Sequence, residues 1–418
     1  MEHELIMNII ANGPGELEQY VEEHFIDKNG LLYSMIDSST GAPTTEDTFR
    51  GNTGSSWPDW KVEGFTKSEF ACYENYGMVN GAFASAMLLK YKLTGDQSAL
   101  ERARRAFRGI RHVVEIGKEL EFGFLPKIYG DRFTMETSTD QYLYILNAWD
   151  EYRRMEECSQ SERKEIEELI IAAVEFWRKR NYHFTYFIYE NMKWPPLRFP
   201  SFLALAYNVS GDKTYLEEAE NILRENASMM PENSRFSDRH LNETELKTRD
   251  KLIYGMPDGV SMDTLNATLY LRNHPTSGFA DIWRSCMITM YLEGIRTIAE
   301  DGQAYTSMYH NLTTGKLRQA DVIGDKSLHG ARTGWSTMIL RGCLQMAQVN
   351  SAFKAEVIAH ARRILSSFDH INKFNYIAPE DADRLPVEYQ FKSRFLSGDS
   401  ISHGLWSYYL LMELERKA

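Results

Sequence analysis

Tyr91-Lys-Leu-Thr-Gly-Asp-Gln-Ser-Ala-Leu-Glu-Arg-Ala103 and Tyr207-Asn-Val-Ser-Gly-Asp-Lys-Thr-Tyr-Leu-Glu-Glu-Ala219 spell one pattern twice. Each run has an aromatic, a step to Thr or Ser, a Gly-Asp pair and then Leu-Glu-x-Ala. Gly95 and Gly211 suit the left-handed residue that ends a helix, and Asp96 and Asp212 suit the cap of the next one. Each copy therefore predicts a helix, a tight turn and an antiparallel helix. The copies stand 116 positions apart, with room for another helix pair between them at 138–180. A unit of about 58 residues fits about six helical hairpins into the chain.

The flanking sequence follows this plan. Runs with small residues and aromatics on several faces, as helices buried all round require, lie at 75–93, 138–156, 197–209, 279–300, 331–349 and 402–416. Runs with charge on one face lie at 4–26, 97–118, 160–181, 213–229 and 352–369, and the twelfth helix is expected near 303–316. The stretch 229–278 reads as a loop, with a short helix in the 260s as the alternative. Alternating buried and half-buried helices close most simply into a double ring. The expected fold is all-α, an (α/α)6 toroid, as one domain over 1–418, with 403–413 closing the ring beside the first helix.

Composition narrows the function. The 418 residues carry 47 Lys+Arg against 59 Asp+Glu, a formal net charge of −12. That balance disfavours a nucleic-acid footprint or docking on an anionic membrane. Met1 to Asn12 lacks a basic region followed by an apolar core, and no run of 18 apolar residues occurs, so the expectation is a cytoplasmic protein. The four cysteines are scattered, and neither a metal-binding spacing nor a nucleotide motif is present, so no metal or cofactor is expected.

In such a ring the inner helices run parallel and their N-termini share one mouth. The long loops at 25–73, 117–137, 182–196, 229–278 and 372–402 would feed that mouth, and they are rich in aromatics, among them Trp57, Trp60 and Trp194. A cup of aromatics with a few polar groups suits a sugar, whose apolar faces stack on rings; packing of the loops onto the ring is the plainer role for the same residues. Acids stand where inner helices begin: Glu74, Glu136, Asp140, Asp281 and Asp399. A cap or dipole partner is the usual role for such an acid. Asp140 and Glu136, if both helical, would share one face and raise one pKa, as a general acid needs. The run His329-Gly-Ala-Arg-Thr-Gly-Trp335 offers Arg332 to a carboxylate and Trp335 as a stacking face, with an internal ion pair as the alternative for the arginine.

The Gly-Asp hairpins, Asp140 before Tyr142-Leu-Tyr-Ile-Leu, Ala331-Arg332-x-Gly-Trp335 and the closing His403-Gly-Leu-Trp-Ser-Tyr together resemble the six-hairpin glycosidases. Among these the pattern is most similar to the unsaturated uronyl hydrolases, which act on unsaturated glucuronyl or rhamnogalacturonyl ends. The resemblance implies an oligosaccharide substrate with a uronate carboxylate and hydration of its C4=C5 bond. Asp140 would be the acid/base, with Glu74 or Glu136 tuning it. Glu74 stands where that family places an Asp. Arg332, His329, Trp335, Trp57, Trp60, Trp194 and His403 would bind substrate. An ordinary glycosidase such as a glucuronidase is the nearest alternative; a polysaccharide lyase, a sugar epimerase and a non-catalytic scaffold are further ones.

Overall fold

The computed structural model describes residues 13–49, 65–186, 189–226, 250–254, 256–311, 313–314, 316–319 and 330–417. Both Gly-Asp turns form as expected. Gly95 and Gly211 take φ of 73° and 74°, each closing a helix. Asp96 then accepts the Ser98 backbone N–H, and Asp212 that of Thr214, each at 2.9 Å. The turns join α3 (Tyr76–Thr94) to α4 (Gln97–Gly117) and α7 (Pro200–Ser210) to α8 (Lys213–Asn226). The hairpin between them is α5 (Thr139–Arg153) and α6 (Gln160–Arg178), where Ser159 and Glu162 form a capping box that satisfies two helix-start N–H groups.

Six inner helices complete a ring. They are α3, α5, α7, α9 (Met256–Asn273), α11 (Ser336–Val349) and α13 (Gly398–Arg416), each packing on the next, with α13 returning to α3. Around them lie α4, α6, α8, α10 (Ala280–Ile295), α12 (Lys354–Ser366) and α1 (Gly15–His24). A short helix, α2 (Lys67–Tyr73), precedes α3. Inner helices are buried on every face, as Tyr76 to Leu88 illustrates. Outer helices such as α4 bury only a stripe, at Ala99, Ala103, Ala106 and Ile110. Close approach of two inner helices rests on Gly81, where a Cβ would meet the Tyr144 backbone at 2.6 Å.

The ring is sealed by a buried acid. Glu18 on α1, 3% exposed, meets Lys90 of α3 at 2.7 Å, Arg102 of α4 and the Tyr409 hydroxyl of α13. First and last helices are thereby fastened to each other and to the first hairpin. No helix among the described residues is long and apolar enough to cross a membrane.

One of the six hairpins departs from the sequence-based assignment. The fourth inner helix is α9, inside the stretch read as a loop, and 280–295 is its outer partner instead of an inner helix. Residues 304–311 form strands, not the twelfth helix. The physical reason is that α9 buries hydroxyls and amides where apolar residues were expected. Ser261, Thr264 and Asn266 are all buried. Thr264 returns its hydroxyl proton to the Val260 carbonyl at 2.6 Å, and Ser201 of α7 donates to Asn266 at 2.5 Å. Pro257 falls in the first turn, where no helix hydrogen bond is lost. The apolar α10 is half-exposed instead, and Asp281 at its start is 95% exposed at its side chain and paired with Arg284, so it does not belong to the mouth.

Candidate active site

Every strand among the described residues lies in a loop that feeds an inner helix, so the irregular structure gathers at the mouth. The first and last of these loops are laced together. Strand β1 (Met35–Asp37) pairs antiparallel with 395–397, placing Ile36 opposite Leu396. Ser34 receives the Gly398 N–H on its carbonyl at 2.8 Å and the Asn75 N–H on its hydroxyl at 2.7 Å. The Asn75 amide donates in turn to Asp399 at 3.0 Å, so Asp399 serves the seam between the first and last inner helices.

Asp140 occupies the second position of α5, at the mouth end. It is half-buried, and its carboxylate has no hydrogen bond or ion pair among the described residues. Glu136 does not join it on a helical face. The N-cap is Ser138, with an extended backbone (φ −142°, ψ 152°), so Glu136 precedes the helix. Thr137 holds that stretch extended by bonding the Leu125 carbonyl through its hydroxyl. Glu136 instead faces a different cluster. Its carbonyl receives the Lys127 N–H at 2.8 Å, while the buried Lys127 ammonium binds the Glu74 carboxylate at 2.9 Å. Tyr129 sits against both acids; burial first, then the charges of Glu74 and Glu136, push its phenol pKa up. Glu74 is therefore half of a buried ion pair at the end of α2.

Arg332 takes the alternative role weighed for it. Its Nε bonds Asp381 at 3.1 Å, its Nη2 the same carboxylate at 3.3 Å, and its Nη1 Asp301. The guanidinium is occupied by the protein's own acids, which corrects the expectation that it holds a substrate carboxylate. Trp335, at the N-cap of α11, is half-buried; its indole N–H donates to Ser397 at 2.9 Å and its ring meets Tyr376 edge-on. Trp194 is buried against Trp177 and Tyr186 and acts as loop packing, not as a stacking platform. His403 is fully buried one and a half turns below the mouth, which removes it from direct substrate contact. Trp57, Trp60 and His329 lie outside the described residues.

Sequence reasoning missed two polar groupings. The first is a ring of buried atoms at the starts of inner helices: the Tyr76 and Ser336 hydroxyls, the Gln141 carbonyl, and the Ser400 and Ser402 hydroxyls. None has a hydrogen-bond partner among the described residues, although buried polar atoms almost always do. Serines opening a hydrophobic helix were the available signal. The second lies about a turn and a half deeper, where Tyr144, Ser261, Arg341 and His403 form one connected cluster. The His403 Nδ1–H donates to the Asp399 carbonyl at 2.8 Å, which leaves Nε2 to accept from the Tyr144 hydroxyl at 3.0 Å. Arg341 donates to Tyr144 at 3.1 Å and also to Ser261 and Gln345. Burial, then the Arg341 charge, holds the His403 pKa well below its ordinary value, so the ring is neutral. Among the described residues no three His, Cys, Asp or Glu side chains are grouped to hold a metal.

No family model matches this chain, and no curated protein matches it. Solved structures do. A sugar epimerase from a ruminal bacterium aligns over 96% of this chain and 98% of its own, with 12% identity and a TM-score of 0.53. An unsaturated glucuronyl hydrolase specific for heparin aligns over 97% and 99%, with 11% identity and a TM-score of 0.52. A family 76 glycoside hydrolase (mannosidase) from Bacteroides thetaiotaomicron aligns over 97% and 99%, with 10% identity and a TM-score of 0.50. These likenesses show the six-hairpin (α/α)6 toroid along nearly the whole chain. The three proteins carry different chemistries, and at this identity the likeness is one of fold.

Proposed function

We propose that the chain is a carbohydrate hydrolase working at the ring's mouth, with Asp140 as proton donor, and that it acts on oligosaccharides ending in an unsaturated uronate. The observation that carries this reading is the Asp140 carboxylate, half-buried and without a partner among the described residues at the mouth end of α5. A carboxylate kept for structure would be capping, paired or bridged, as Glu18, Glu74 and Asp399 are.

The uronate part rests on the resemblance of the sequence motifs, on the glucuronyl hydrolase among the structural neighbours, and on the mouth itself. Parallel inner helices bring positive dipole ends to one opening, which favours an anionic ligand. With Arg332 occupied, the carboxylate of the sugar falls to the helix starts at Ser336 and Ser400, whose hydroxyls have no partner among the described residues.

In this reading Asp140 gives its proton to C4 of the C4=C5 bond. Water adds to C5 and returns a proton to the carboxylate. The resulting hemiketal opens, releasing the neighbouring sugar. A donor in this role reaches within about 2.6–3.2 Å of its target atom, directly or through one water.

The test is incubation with an unsaturated uronyl disaccharide, following loss of absorbance from the conjugated double bond in the wild type and in Asp140→Asn. Loss in the first and not the second is the expected result. Unchanged absorbance together with release of nitrophenol from a nitrophenyl glucuronide would move the reading to an ordinary glucuronidase.

A further inference from the structure

At the opposite end of the ring, where the inner helices finish, a cavity of about 210 Å³ opens between α3, α5, α9, α11 and α13. Lys92, Arg154, Arg272, Gln345, Trp406 and Leu410 are among its lining residues. Helix C-termini carry partial negative charge, so basic residues there have a dipole role to begin with. Three observations go beyond that role.

The first concerns Gln345, which is 3% exposed. Its carbonyl oxygen accepts from Arg341. A guanidinium only donates, so the orientation of the amide is fixed and its NH2 is the group left over. That NH2 has no acceptor among the described residues. The amide of this buried residue thus lines the cavity with nothing among the described residues to receive its protons.

The second concerns Arg341, which is 0% exposed and has no carboxylate partner among the described residues. Its neighbours are hydroxyls, one carbonyl and one amide, from Tyr144, Ser261, Thr264 and Gln345. Buried charges are ordinarily paired. Gln345 lines the cavity while bonding Arg341, and so does Trp406, whose ring centroid is 5.2 Å from the guanidinium.

The third is the balance of charge on the wall. The acids there are already occupied: Glu151 by Arg272 at 3.0 Å, and Glu413 by Lys417 and Gln348, each at 2.6 Å. Lys92 has no ion pair among the described residues. Asp150, behind the wall, already accepts Arg153, Arg154 and Arg272. What the cavity still offers is donors, against an apolar face of Trp406 and Leu410.

We propose that this axial cavity is a second binding site, remote from the mouth, for a hydroxylated anion of monosaccharide size carrying a phosphate or a carboxylate. The anion takes the Gln345 NH2 and the Lys92 ammonium, its sugar face lies on Trp406, and its charge offsets that of Arg341. The inference does not rest on the chemistry proposed for Asp140.

Isothermal titration of the full chain with glucose 6-phosphate, gluconate and glucose tests it. Saturable binding of either anion is expected, with glucose at least about tenfold weaker, a difference of about 1.4 kcal/mol. Lys92→Glu, on an exposed position that folding tolerates, should weaken the anion about tenfold or more, while Asp140→Asn leaves its affinity as in the wild type. Binding of the phosphate alone or of the carboxylate alone supports the site and names its anion. Absence of saturable binding by both overturns it. So does binding that survives Lys92→Glu and disappears in Asp140→Asn, because the anion would then be at the mouth.

Discussion

Two layers of the ring bury polar side chains and treat them in opposite ways. In the deeper layer Tyr144, Ser261, Arg341 and His403 answer one another: each hydroxyl, imidazole and guanidinium finds a partner on a different inner helix. At the mouth the hydroxyls of Tyr76, Ser336 and Ser400 and the carbonyl of Gln141 find none among the described residues. Both layers are equally hidden from solvent, so burial alone does not separate structure from function. Bonding between helices does. Side chains that bond one another across helices specify the fold, even though Arg341 Nε has no partner among the described residues, whereas donors and acceptors left over at one opening are what a hydroxylated substrate would complete.

The contrast can be broken most sharply at Asp140. Asp140→Asn should cut turnover by about 10²–10⁴-fold while the melting temperature stays at the wild-type value. A large loss of stability with turnover preserved would place Asp140 with the structural layer. Arg341→Ala should do the reverse and cost about 3–5 kcal/mol in denaturant unfolding, since a large buried side chain is lost and its partners are stranded. A stability change below about 0.5 kcal/mol, the scatter of surface substitutions, would show that the deeper layer is not structural.

The pH dependence sharpens the same distinction. His403 has a native pKa depressed far below its unfolded value, so below about pH 6.5 the unfolded chain binds a proton that the buried ring refuses. Stability is full above the unfolded pKa and falls as pH drops, by up to about 1.4 kcal/mol per pH unit, until the native pKa is reached. His403→Gln should flatten that slope between pH 6.5 and about 5 in thermal melts; an unchanged slope refutes the assignment. The smallest stability effect is expected at the mouth. Ser336→Ala and Ser400→Ala remove hydroxyls that bond none of the described residues, so unfolding free energy should move by less than about 0.5 kcal/mol. KM for the unsaturated uronyl disaccharide should rise several-fold, and an unchanged KM would take these serines out of the site.

The sequence made the hairpins legible because their turns depend on local chemistry. A glycine at positive φ followed by a capping aspartate leaves the same trace wherever it occurs, as at Gly95-Asp96 and Gly211-Asp212. Helix α9 left no such trace. Its core-facing Ser261, Thr264 and Asn266 resemble loop residues until the neighbours that share their hydrogen bonds are in place. The same limit explains Arg332, whose partners Asp301 and Asp381 are distant in sequence and come together only through the fold. It also explains Glu136, where spacing suggested a helical pair and the Thr137 tether to Leu125 holds the chain outside the helix instead. Asp140 was legible as an acid at a helix start; that it lacks a partner was not.

The junction around Glu18 has one more implication. An open stack of repeats can fray from its ends, because each terminal unit is held on one side only. Here the carboxylate ties α1 to α3, α4 and α13, so all six hairpins have neighbours on both flanks. The molecule should come apart as a whole and not unit by unit. Charge loss at this single residue would loosen α1 from the seam that α13 and α3 still close, and the first sign would be a broadened melting transition.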